Sequence, residues 1–91
     1  MKLYLLKQED NNWYDTFDSV VVAAPSPEEA IMIHPSSFAR VQSGKFVKGD
    51  GQWISEARDW AFGPSSVQLE YIGEAKEGTE AGVILASFNA G

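Results

Sequence analysis

The side chains that could do chemistry in this chain are few and poorly spaced for it. His34 is the single histidine and there is no cysteine. That excludes thiolate nucleophiles, disulfides, zinc sites of the Cys/His type and paired-histidine sites. A general base needs a nucleophile or proton donor within reach, and nothing near His34 in the sequence suggests one. His34 falls where a helix should end, a position that favours positive charge, so its expected role is structural. Asp10, Asn12, Asp15 and Asp18 have the flavour of a calcium loop. The spacing fails, because Asp15 stands where the loop needs its glycine and no glutamate closes it. Gly44, Gly49 and Gly51 are not followed by the Gly-Lys-Ser/Thr of a phosphate loop. The adjacent carboxylates Glu28 and Glu29 are explained by capping. The reading is therefore a non-enzymatic protein with no catalytic residue, metal site or cofactor.

The elements that would position these residues form one domain over 1–91. Lys2–Gln8 is predicted as a strand, Glu9–Asn12 as a turn, and Tyr14–Ala24 as a second strand that completes an antiparallel hairpin. Val20, Val21 and Val22 are consecutive and β-branched, which suits a strand buried on both faces near its end. Ser26-Pro27-Glu28-Glu29 is the sharpest local signal. Ser26 caps, Pro27 suits the first helical position, and Glu29 completes a capping box. Pro35 disfavours helical geometry at His34, so a helix of about two turns is expected. Residues 36–60 read as an irregular or hairpin segment, with turns at Gln42-Ser43-Gly44-Lys45 and Lys48-Gly49-Asp50-Gly51. Trp53–Phe62 reads as a strand or a short helical piece.

Val67–Ala75 alternates as a half-buried strand should, and Val83–Phe88 forms a second apolar run beyond a Gly-bounded turn. These two are predicted to pair as a hairpin. The second run lies at the end of the sequence, where an unpaired strand would fray, so it is expected inside a sheet with Phe88 in the core. The fold class is α+β: a mainly antiparallel sheet of about four or five strands with one short helix packed on it.

Composition narrows the function classes further. At 44% hydrophobic and 12% aromatic, the chain has ample material for one core. No run approaches the ~20 apolar residues of a membrane span. The N-terminus lacks the pattern of a signal peptide, so a cytoplasmic location is expected. The net charge is −6. Phosphate is repelled by such a surface, so direct nucleic-acid binding is disfavoured, whereas a basic partner is favoured. Glu74, Glu77 and Glu80, beside the last turn, are candidates for a steering face. Three tryptophans are more than a thin core easily hides. Trp53, beside Gly51 and Gln52, is the candidate interface anchor.

The segments KLYLL, YDTFDSVVVAA, the EEA after Ser-Pro, IHP at 33–35, VQLEYIGEA and the closing GVILASFNAG resemble a family of short uncharacterised proteins associated with phage and prophage genomes. The closing segment is the most specific, and residues 36–60 carry little of the likeness. The resemblance implies a bacterial host cell and brings no activity or catalytic residue. By analogy with small acidic phage proteins, it points to a protein that binds and blocks a host protein, as anti-defence and anti-CRISPR proteins do. The target would be one with a basic nucleic-acid-binding surface. Two alternatives accompany this expectation. One is a small-molecule-binding protein, in which Trp and Arg58 line a pocket for a nucleotide-like ligand. The other is an accessory structural or regulatory protein acting by homo-oligomerisation, with a homodimer as its simplest form.

Overall fold

A computed structural model describes residues 1–36, 39–49 and 54–89. Four strands form the larger sheet: β1 (Lys2–Lys7), β2 (Thr16–Ala24), β6 (Gln68–Glu74) and β7 (Gly82–Asn89), in the order β6-β1-β2-β7. Three short strands form the smaller one: β3 (Arg40–Gln42), β4 (Lys45–Lys48) and β5 (Ser55–Glu56). One helical turn, α1 (Pro27–Ala30), and a 3-10 turn (Pro64–Ser66) complete the described elements. All recorded strand pairings are antiparallel. The α+β class stands, with its strands divided between two sheets.

Period-two alternation makes the core. Leu6 and Val20 face each other across β1 and β2, as do Tyr4 and Val22, and all four are buried. Onto this face pack Ala30 of α1, Phe46 of β4, and Trp60 with its neighbours Ala57 and Ala61. Trp60 is the largest fully buried side chain. Its indole nitrogen finds no acceptor among the described residues. Leaving such a donor unmet costs ~1–3 kcal/mol, which the burial of the whole ring must offset.

The cap at α1 forms as the sequence predicts: Glu29 N–H donates to Ser26 Oγ at 3.3 Å. The helix is four residues long, not the expected two turns, and ends in a turn at Ile31 and Met32. So short a helix depends on tertiary packing, here through Ala30. The β3–β4 turn is where the sequence puts it. Ser43 and Gly44 both have positive φ, 54° and 77°, as a two-residue hairpin of the primed type demands. Between Trp53 and Phe62 only Ser55–Glu56 is a strand. The expected turn at 48–51 lies partly outside the described residues.

The β6–β7 hairpin does not form. β6 pairs with β1 and β7 with β2, so the two occupy opposite edges. The loop 75–81 crosses the end of β1 and β2, a span of three strand spacings or ~14 Å, well within the ~23 Å that about seven residues reach. This arrangement places the first hairpin centrally, where it is flanked on both sides. Alternation reveals a half-buried strand but not its neighbour. Phe88 is not in the core either: it packs on Phe17 with ring centroids 4.7 Å apart and remains 48% exposed.

Candidate functional site

The segment that joins β1 to β2 carries the most exposed aromatic pair in the described structure. Its base is a buried polar network. Gln8, Asn11 and Thr16 are all buried, yet each makes hydrogen bonds to the backbone. Gln8 Nε2 donates to Asn11 O at 2.7 Å and to Phe17 O at 2.8 Å, while Asn11 N–H donates to Gln8 Oε1 at 2.9 Å. Asn11 Nδ2 reaches Trp60 O at 2.5 Å. Buried polar groups are costly unless satisfied, and when satisfied they fix one geometry. Gln8 therefore binds the loop's own backbone from beneath, and Asn11 ties the loop to the Trp60 carbonyl.

On top of this base stand Trp13 and Tyr14, exposed to 76% and 73%. The Trp13 carbonyl accepts from Thr16 Oγ1 at 2.6 Å and from Asn89 Nδ2 at 3.3 Å. Asp15 follows with φ at 61°, a left-handed conformation uncommon for a residue with a side chain. Asp15 N–H donates to Asn89 O at 2.5 Å, tying the turn to the end of β7. The backbone carrying both rings is thus fixed on either side.

These rings border an open groove of about 770 Å³, whose far wall includes Lys48, Ser55, Arg58 and Asp59. Asp59 accepts from Lys48 Nζ at 2.8 Å and lies 3.2 Å from His34 Nε2. Ser36 N–H donates to His34 Nδ1 at 2.8 Å. Nδ1 is therefore the acceptor nitrogen, while Nε2, though close to Asp59 Oδ1, makes no hydrogen bond among the described residues. Burial lowers the His34 pKa below its ordinary value, against the opposing pull of the Asp59 carboxylate. With Nδ1 engaged by Ser36, Nε2 beside the Asp59 carboxylate and the ring set edge-on to Phe46, His34 is a joint between the segment after α1 and the segment at 57–60. Arg58 is exposed and pairs with no described residue.

The other sequence candidates lie elsewhere. Trp53 lies outside the described residues. Glu74, Glu77 and Glu80 are all exposed, at the end of β6 and in the loop 75–81. They lie at the sheet end where Lys2 meets Ala24 and Glu74, while Trp13 lies beyond Thr16 at the other end of the nine-residue β2. The acidic set and the exposed aromatic pair are thus ~25–30 Å apart along the sheet. The sequence reading singles out Trp53 among the tryptophans and takes Tyr14 as the start of the second strand, whereas Tyr14 lies in the turn before β2. The flanking Asn-Asn and Asp were the available signal that the turn projects into solvent. Among the described residues there is no cluster of His, Asp and Glu that could hold a metal, and no helix long and apolar enough to cross a membrane. No family model, no curated protein and no solved structure matches the chain.

Proposed function

We propose that this protein acts without catalysis, by binding and blocking a partner protein through the Trp13–Tyr14 turn. The supporting observation is the pairing of large exposed rings with a backbone that cannot easily move. A rigid aromatic anchor loses little entropy on binding, and such residues dominate interface energetics. Rings exposed to this degree bury little apolar area in the isolated domain. The charge of −6 favours a partner whose surface is basic. The choice of a host protein as the target rests on the resemblance to phage-associated proteins.

The test is capture from a bacterial lysate on the immobilised protein, repeated with the double variant Trp13→Ala, Tyr14→Ala. Proteins retained by the parent and lost by the variant, with an unchanged thermal transition, are the expected result. A variant that retains the same proteins removes the turn from the reading.

A second reading has its own observation. Arg58 has no partner among the described residues and lines the groove that Trp13 and Tyr14 border, which suits a planar anionic ligand stacked on a ring. Titration with nucleoside phosphates, followed by tryptophan fluorescence in the parent and in Arg58→Ala, decides it. No saturable change in the parent excludes this ligand class.

A further inference from the structure

The rings of Trp13 and Tyr14 stand in a negative stretch of the chain. Between Glu9 and Asp18 the carboxylates are Glu9, Asp10, Asp15 and Asp18, with no lysine, arginine or histidine among them. Glu9, Asp15 and Asp18 are exposed. Unopposed charges so close in sequence set a negative local field. Among the described residues neither Trp13 nor Tyr14 packs on another ring or on a cation. Their faces are therefore free, and an aromatic face is itself electronegative. Rings and carboxylates at one turn thus favour the same kind of group, a cation.

The adjoining groove sharpens this choice. Of the charged residues that line it, Lys48 is committed to Asp59 at 2.8 Å and Glu56 pairs with Lys45 at 3.2 Å. Asp15 and Arg58 line it without an ion-pair partner among the described residues. Asp15 follows directly on the rings, and its N–H is bonded to Asn89 O at 2.5 Å, so its carboxylate is anchored beside them. Arg58 belongs to the separate segment after β5.

We propose that the turn takes an arginine side chain of the partner protein, its guanidinium laid on the face of Trp13 or Tyr14 and paired with the Asp15 carboxylate. A guanidinium is planar and weakly hydrated, so it stacks on a ring while donating two parallel hydrogen bonds to a carboxylate, which an ammonium does not. This deepens the first reading above, on which it rests, by naming the group that holds a basic partner. An anion in the same place would meet electronegative ring faces and Asp15.

The probe is the blocked tripeptide acetyl-Gly-Arg-Gly-amide, titrated into the full chain to millimolar concentration. The readout is the set of indole N–H resonances in the NMR spectrum, with the Trp13 signal assigned from Trp13→Phe. The Trp13 signal is expected to shift saturably and that of the buried Trp60 to stay in place. The citrulline peptide, which keeps the shape and loses the charge, should give no saturable shift. The lysine peptide should bind about threefold more weakly, and Asp15→Asn should weaken the arginine peptide by about threefold. Asparagine tolerates the left-handed backbone that Asp15 adopts at φ 61°, so this variant keeps the turn, as its thermal transition checks. Arg58→Ala, which removes an opposing cation, should leave binding unchanged or tighten it. A silent Trp13 signal, an equal shift with citrulline, a lysine peptide as tight as the arginine one, or indifference to Asp15→Asn overturns the inference. If lysate capture is still lost with Trp13→Ala, Tyr14→Ala, the arginine assignment alone falls and the first reading stands. Capture that persists in that double variant overturns both.

Discussion

Trp13 and Tyr14 stand in water on a turn whose backbone is held by Gln8 and Thr16 and which Asn11 ties to the Trp60 carbonyl. Burial disfavours the charged form of His34, which has a consequence for pH. The folded pKa is lowered by burial, so the unfolded chain takes up the proton first as pH falls. The contribution of His34 to stability is complete above the unfolded value of ~6.5 and is lost as pH drops below it. Urea midpoints measured between pH 7 and pH 5 should fall for the parent and fall less for His34→Gln. Equal slopes would mean that the ring is not held neutral. Gly63 makes a second residue-scale case. Its Cβ would collide with the carbonyl oxygen of Gly44 at the β3–β4 turn, a backbone atom that cannot swing aside. Gly63→Ala should cost ~1–3 kcal/mol, read as a lower denaturant midpoint. An unchanged midpoint would show that the hairpin can lift off without loss.

Among elements, α1 is the most dependent on its ends. It has four residues, one side-chain cap and one buried residue, Ala30. Ser26→Ala should cost ~1 kcal/mol, as the loss of a cap does elsewhere. A midpoint within error of the parent would show that Ala30 packing holds the turn without its cap. At the other end of the fold, β7 is attached by one side only. Phe88 contributes a tilted contact with Phe17 and half its surface. Phe88→Ala should therefore cost ~1–2 kcal/mol, short of the ~3–5 kcal/mol for a fully buried Phe. A loss in the higher range would mean that Phe88 is better covered in solution than its half-exposed position provides.

For the molecule as a whole, charge acts over distances that contacts do not. Glu74, Glu77 and Glu80 lie far from the Trp13 turn, so they belong to the long-range field and not to its contact surface. Once a partner has been captured, substituting all three with Lys should slow association at low salt and flatten its salt dependence, while leaving dissociation and folding unchanged. Equal association rates for parent and triple variant at low salt would place the steering face elsewhere.

What the sequence determined by itself was local. The apolar residues of 2–8, the consecutive valines within 14–24, the alternation in 67–75 and the apolar run 83–88 marked the strands to within two residues at each end, Ser26-Pro27 marked the helix start, and Ser43-Gly44 marked a tight turn, because each signal is a property of a few consecutive residues. The absence of cysteine and the lone histidine likewise bounded the chemistry at once. Only the tertiary structure decided which strands are neighbours. A half-buried strand has the same alternation beside any partner, so nothing in 68–74 or 82–89 distinguishes a hairpin from two opposite edges. Exposure was decided there too. Trp13 and Trp60 are the same residue type, and one lies in solvent and the other in the core because β4 and the 57–61 segment close over Trp60 alone. Gln8 reads in sequence as the end of the first strand and Asn11 as an ordinary turn residue. They became the base of the candidate site only when the fold brought the Trp60 carbonyl to Asn11, across nearly fifty residues of chain.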